Sequence, residues 1–136
     1  MTPAFRHSFR VRFHECDPQG IVFNANFLVY ADIAITELYR EAFGSWQAIM
    51  DASGIDMVVA EANARYFAPL HFDEEVELVA LVTRIGTTAT TTLVAVERDG
   101  TTVAEVTLRH VVIDPTTRLK TAIPDPLRAG LGRYSA

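Results

Sequence analysis

The sequence predicts an α+β domain in which one antiparallel five-stranded sheet wraps around a long central helix, and three patterns lead there. Residues 5–13 alternate the apolar Phe5, Phe9, Val11 and Phe13 with Arg6, Ser8, Arg10 and Arg12, the period-2 signature of a half-buried strand. Residues 26–43 run without Pro or Gly and set Phe27, Tyr30, Ala31, Ala34, Leu38 and Ala42 on one helical stripe. Beyond residue 55 the chain becomes β-branched and Thr-rich in four successive stretches.

Cys16, Asp17, Pro18, Gln19 and Gly20 break the first strand; Asp at i, Pro at i+1 and Gly at i+3 suit a type I turn that reverses the chain at once. In the helix, Asp32, Thr36 and Arg40 line up opposite the apolar stripe. Leu28, Ile33 and Ile35 fall outside that stripe, so most of the circumference is apolar and other elements are expected to enclose it. Gly44 stops the helix, and Ser45 caps a shorter one over residues 46–52 that ends near Gly54. The later strands read as residues 56–67, 75–85, 88–98 and 101–114, with Pro69 and Pro115 marking strand ends. Gly86-Thr87 and Asp99-Gly100 are hairpin connections, so the last three strands form an antiparallel meander. Residues 123–127 lead into a short closing helix that frays by Tyr134. Val76, Leu78, Val79, Ala80, Leu81 and Val82 make both faces of one strand apolar, which suits a helix on one side and another subunit on the other.

A chain of 136 residues has room for one domain, taken as 1–136, and for a core that needs no disulfide staple. A hydrophobic fraction of 49% with 21% charged residues excludes a disordered chain, and every long apolar stretch meets a charge before it could span a bilayer. The net charge of -5 repels polyanions, so nucleic acid and membrane are not expected partners, and an anionic ligand needs a local basic site. Residues 1–10 hold no apolar stretch long enough for a signal peptide, and Cys16 has no second cysteine to pair with. Both features point to the cytoplasm.

His7, His14, His71 and His110 stand at no metal-ligand spacing, and the sequence has no G-x-S-x-G elbow, P-loop or G-x-G-x-x-G fingerprint. Cys16 reads as a small buried hydrophobe, and Glu15 with Asp17 as a solvated carboxylate pair at a strand end. Asp17 itself fits two descriptions. It starts a turn, and it also sits just ahead of a helix whose first-turn N-H groups are available to hold a developing oxyanion.

The segment FHECDPQGIVFNANFLVYA, residues 13–31, resembles the signature of hotdog-fold acyl-CoA thioesterases of the 4-hydroxybenzoyl-CoA thioesterase type, in which an Asp-x-x-Gly loop runs straight into the central helix. Asp17, Gly20, Ile21, Val22 and Asn26 match that pattern. NARYFAPLHFDEEVEL, residues 63–78, resembles the family's strand, Pro turn and acidic strand start, so the likeness extends over nearly the whole chain. The resemblance implies a hotdog fold, a homodimer or homotetramer with active sites at the subunit boundary, and hydrolysis of an acyl-CoA to carboxylic acid and thiol. No cofactor is implied beyond the coenzyme A of the substrate. It assigns Asp17 as nucleophile or general base, the Asn24 backbone amide as polarising donor, and Gly20 as the residue that lets the loop approach closely. Ile21, Val22 and Phe23 are the implied acyl contacts.

Two departures from the family pattern shape the expectations. Asn24 stands where many relatives carry His or Tyr, and it is also a candidate helix cap. Gly86, Thr87 and Thr88 stand where the prototype has a basic cluster for the coenzyme A phosphates, so Arg65 and Arg84, with Arg118 and Lys120, become candidate phosphate contacts, although each also reads as a solvated surface charge. That gap leaves an acyl carrier protein thioester open as substrate. Two rival functions are a hotdog dehydratase or hydratase, for which His14 would have to pair with Asp17, and a noncatalytic acyl-binding module.

Overall fold

A computed structural model describes residues 4–136; residues 1–3, where the leader reading and the single-domain range begin, lie outside the described residues. In chain order the elements are β1 (Phe5–Arg10), a 3-10 turn (Phe13–Glu15), α1 (Asn26–Phe43), α2 (Trp46–Ser53), β2 (Asp56–Tyr66), β3 (Glu75–Ile85), β4 (Ala89–Arg98), β5 (Thr101–Ile113) and α3 (Asp125–Gly132). The five strands form one antiparallel sheet in the order β1-β3-β4-β5-β2. This is the α+β arrangement expected, with β3, β4 and β5 as the meander.

Helix α1 lies on the sheet because the alternating residues beneath it are apolar. Val76, Leu78, Ala80 and Val82 of β3, Val94 and Val96 of β4, and Ala104, Val106 and Leu108 of β5 are buried with Phe27, Tyr30, Ala31, Ala34, Ile35 and Leu38. Gly44, at φ 88°, ends the helix, and its amide donates to the carbonyl of Arg40 at 3.0 Å. Ser45 caps α2 as expected, its hydroxyl accepting from the Ala48 amide at 3.0 Å, and Gly54 closes that helix in the left-handed conformation.

The structure corrects three expectations. Strand β1 stops at Arg10 rather than Phe13 because its partner β3 begins at Glu75. One further pair of bonds, Val11 amide to Glu74 and Asp73 amide to Val11, closes the ladder where Asp73 turns to φ 69°. The 3-10 turn therefore intervenes before the reversal. Second, α1 is less enclosed at its start than expected: Leu28 and Val29 are exposed beside β2, whose own side chains are largely exposed from Val58 to Asn63, while Asp32 and Thr36 lie on the polar face as expected. Third, the chain does not fray at Tyr134. That ring is buried, its carbonyl accepts from the Val82 amide at 2.9 Å, and its hydroxyl donates to Glu41 at 2.6 Å.

His110 on β5 is buried between Val59 of β2 and Thr90 of β4, with the Trp46 ring 5.9 Å away. Its ring makes no hydrogen bond to another described residue. Burial lowers its pKa to about 4, so the folded state keeps the imidazole neutral where an unfolded chain would take up a proton. The unfolded chain then binds more protons between the two values, and stability falls as pH drops from about 6.5 through about 4. The loss by the lower end is on the order of 3 kcal/mol. Urea titrations of the wild-type protein and of His110→Gln across that range are expected to give a shallower pH dependence in the variant.

Candidate active site

Residues 15–23 fold as a miniature hairpin. Cys16 faces Val22 across an antiparallel bridge, the Asp17 amide donates to the Ile21 carbonyl at 2.8 Å, and the Phe23 amide donates to the Glu15 carbonyl at 2.9 Å. At the tip, the Gly20 amide returns to the Asp17 carbonyl at 2.9 Å, the i to i+3 bond of the expected turn, and Asp17 Oδ1 accepts from the Gln19 amide at 2.8 Å. Gly20 holds φ 81°, a conformation a residue with a Cβ adopts poorly. The hairpin is stitched to residues 68–71 by the Val22 amide on the Leu70 carbonyl and by the bridge of Ile21 to His71.

Helix α1 starts directly behind this hairpin. The amides of Asn26, Phe27 and Leu28 are taken by the carbonyls of Phe23, Asn24 and Ala25 at 2.9, 3.2 and 3.1 Å. The amides of Asn24 and Ala25 have no acceptor among the described residues. Because C=O and N-H point in opposite directions across a trans peptide, locking the carbonyls of Phe23 and Asn24 into the helix turns the amides of Asn24 and Ala25 away from it. These two donors sit at the positive end of an 18-residue helix dipole. Asn24 is not the helix cap: Ala25 occupies that position in right-handed helical geometry, and no side chain caps the turn. Tyr66 donates its hydroxyl to the Asn24 carbonyl at 2.9 Å and so helps to fix that peptide plane.

A cavity of about 400 Å³ opens beside Asn24, lined by that residue and by Ile21, Val22, Phe27, Tyr66, Ala68 and Pro69. Its lining is mostly apolar, which suits an acyl group. Of the residues singled out from sequence, Asp17, Gly20, Ile21, Val22, Phe23 and Asn24 come together on the hairpin and helix start. Asp17 does not itself line the cavity; it is half-buried and hydrogen-bonded to Ile21, which does. Phe23 points outward and is 50% exposed. Arg65, next to Tyr66 in β2, does not line the cavity; its guanidinium stacks 5.5 Å from the centre of the Phe67 ring. Arg84 is not part of this cluster: it stands nine residues along β3 from Glu75, roughly 30 Å away at strand spacing.

Tyr66, Phe27 and Pro69 line the cavity without any sequence signal that marks them as site residues, because they converge from a helix and a distant strand end. Glu15 was misread. It is buried rather than solvated, and its carboxyl Oε1 accepts from the Tyr30 hydroxyl at 2.9 Å and the Arg12 amide at 2.8 Å. Cys16 is half-exposed rather than buried, and desolvation, with the charges of Glu15 and Asp17, raises its pKa and so disfavours a reactive thiolate. His14 is exposed, and no histidine among the described residues hydrogen-bonds Asp17, so the His-carboxylate pair of a hydratase is not assembled. No group of three or more His, Cys, Asp or Glu among the described residues is arranged to hold a metal ion.

Farther along α1, Asp32, Ile35, Thr36, Trp46, Met57, Val59 and His110 line a second cavity of about 320 Å³. Burial raises the pKa of Asp32 there. No helix of the described residues is long and apolar enough to cross a membrane.

The sequence model of the thioesterase-like superfamily matches residues 11–131. The acyl-CoA thioester hydrolase YbgC of Escherichia coli O6:H1 is 30% identical over 129 residues, covering 94% of this chain and 96% of its own. Among solved structures, a hypothetical protein from Aquifex aeolicus superposes with a TM-score of 0.87 at 25% identity, covering 93% of this chain and 98% of its own. A thioesterase superfamily protein from Jannaschia sp. CCS1 has the same fold, with a TM-score of 0.90 at 23% identity over 98% of this chain and 94% of its own.

At Gly20 an added Cβ meets no atom within 4 Å, so only the backbone conformation resists substitution. Gly20→Ala is expected to lower the unfolding free energy by about 1 kcal/mol through that strain, read as a shift of the urea midpoint with unchanged slope.

Proposed function

The chain belongs to the thioesterase-like superfamily and is by that kinship a thioester hydrolase; from this premise we propose that it cleaves acyl-CoA thioesters to carboxylic acid and coenzyme A at the helix start described above. The observation that carries the reading is the pair of outward amides at Asn24 and Ala25 opening beside an apolar cavity, with the Asp17 hairpin as one wall. In this reading the acyl group occupies the cavity and its carbonyl oxygen lies on the two amides, which strengthen as that oxygen becomes anionic. Asp17 Oδ1 is engaged with the Gln19 amide, and the other carboxyl oxygen has no partner among the described residues. That oxygen either attacks the thioester carbon, expelling the thiolate and leaving an anhydride for water to open, or takes a proton from the attacking water. Gly20 shapes the tip, Ile21 and Val22 form the floor, and Phe23 flanks the entrance.

Coenzyme A docking in this reading draws on two copies of the chain. Arg84, Thr91 and Arg109 stand in one cross-strand row over β3, β4 and β5, and both arginines line a cavity of about 240 Å³ with Gly86, Thr87 and Thr88. Neither guanidinium has a carboxylate within 4.0 Å among the described residues, in contrast to Arg6, Arg10, Arg12, Arg40 and Arg98. Being roughly 30 Å from its own hairpin along β3, this row serves the site of a second copy. The open edge of β2, with Val58 and Val59 exposed, and the exposed Leu28 and Val29 of α1 form the pairing surface for a homodimer.

Two measurements test the proposal. Thiol release from a panel of aromatic and aliphatic acyl-CoAs is expected from the wild-type protein, and Asp17→Asn is expected to lower kcat by about 10² to 10⁴ with little change in melting temperature. Full activity in that variant removes the assigned role, and no release from any substrate favours a noncatalytic acyl-binding module. Arg84→Ala with Arg109→Ala is expected to raise KM for an acyl-CoA about tenfold or more, with no effect on the acyl-pantetheine that lacks the nucleotide phosphates. Equal KM changes for both substrates would place the phosphates elsewhere.

A further inference from the structure

We infer that Glu15 and Tyr30 are positioning residues, a buried clamp that holds the Asp17 hairpin and the Asn24 and Ala25 amides in register; this rests on the hydrolase reading above. Four residues converge on Glu15. Its carboxyl Oε1 receives the Tyr30 hydroxyl at 2.9 Å and the Arg12 amide at 2.8 Å, and the Arg12 guanidinium stands 3.6 Å from Oε2. Its backbone carbonyl receives the Phe23 amide at 2.9 Å and the Asn26 side-chain amide at 2.8 Å. One residue is thereby bonded to Arg12 at the head of the 3-10 turn, to the returning arm of the hairpin, to the first residue of α1 and to a phenol one turn farther along α1.

The place of these bonds separates them from ordinary packing. Glu15 lies two residues before Asp17, and its carbonyl partner Phe23 immediately precedes Asn24. The bonds of the Glu15 backbone carbonyl to Phe23 and Asn26 set the distance between the hairpin arm that carries the carboxylate and the peptide planes that carry the two outward amides, and the carboxyl bonds to Tyr30 and to the Arg12 amide fix where that carbonyl stands. Tyr30 supplies the rigid end of the clamp. It is fully buried, with its ring 4.7 Å from Phe9 and 5.6 Å from Phe27, so its hydroxyl has one accessible position. Burial, followed by the bond to Glu15, raises its pKa and keeps the phenol a donor. A carboxyl group on a buried side chain is expensive to desolvate, and an apolar residue in its place would pack without that penalty. The polar group is accounted for by the register it imposes on a short loop that has little apolar area of its own.

The test separates positioning from folding. Tyr30→Phe and Glu15→Gln keep shape and volume, and Gln retains an oxygen for the Arg12 amide and the Tyr30 hydroxyl. At a temperature well below melting, Tyr30→Phe is expected to reduce kcat by about tenfold or more, as a displaced reacting group does, with KM within about twofold of wild type. Glu15→Gln is expected to recover most of the kcat that Glu15→Ala loses, and the kcat losses of Glu15→Ala and Tyr30→Phe to be less than additive in the double variant because each removes the same bond. Tyr30→Phe with wild-type kcat, whatever its melting temperature, overturns the inference, as does full additivity in the double variant. A wild-type protein that releases no thiol overturns the hydrolase reading instead, so the two failures are distinguishable.

Discussion

Helix α1 must hide Tyr30, Ala31, Ala34 and Leu38 completely, and it can do so only by lying along the alternating apolar residues of β3, β4 and β5. Burial of side chains such as Leu38 and Tyr30 contributes about 1.5 to 3 kcal/mol each, so the helix cannot slide or rotate without losing several such terms together. Everything at its N-terminus inherits that placement. The hairpin of residues 15–23 has few buried side chains of its own, Glu15 and Val22 among them, and it is positioned by where α1 begins and by where β3 begins. The site is thus a consequence of the core rather than a separate structure attached to it.

Polar bonds supply what the core cannot. Hydrophobic contact is non-directional and tolerates small shifts, whereas the orientation of two peptide planes needs directed bonds. Tyr66 fixes the Asn24 plane from β2, the Asn26 side chain fixes the hairpin arm from α1, and the Leu70 carbonyl fixes it from the connection between β2 and β3. Two of those anchors, Tyr66 and Leu70, lie more than forty residues along the chain from the peptides they hold, so the geometry at Asn24 and Ala25 exists only when the end of β2 and the connection after it are in place. Local unfolding of the hairpin would release the amides and the Asp17 carboxyl group together.

The single chain also leaves surfaces open in a pattern. At the far end, α3 and Tyr134 close the core against β3 and α1, with the Tyr134 hydroxyl pKa pushed up to about 12 by burial and the bond to Glu41. On the β2 side the opposite holds: the strand has an unpaired edge, and the flanking helix face carries exposed Leu28 and Val29. An edge with exposed Val58 and Val59 invites further pairing, and the cavity beside Tyr66 lies on that same side.

Element types and most boundaries were legible in the sequence because they rest on local rules. The span of α1, the cap at Ser45, the stop at Gly44 and the hairpins after β3 and β4 each follow from a few adjacent residues. The Asp-x-x-Gly loop before the helix was legible as well, since a turn and a helix start are short-range features. What only the tertiary structure decided involves partners distant in the chain. The end of β1 at Arg10 depends on where β3 begins, and the docking of Tyr134 depends on Val82 and Glu41. Glu15 looked like a surface carboxylate because nothing near it in sequence announces the phenol of Tyr30, which reaches it through the helix that turns back over the loop. Side-chain period and turn chemistry depend on neighbours; burial, amide direction and the separation of Arg84 from Asp17 depend on packing, which no local pattern encodes.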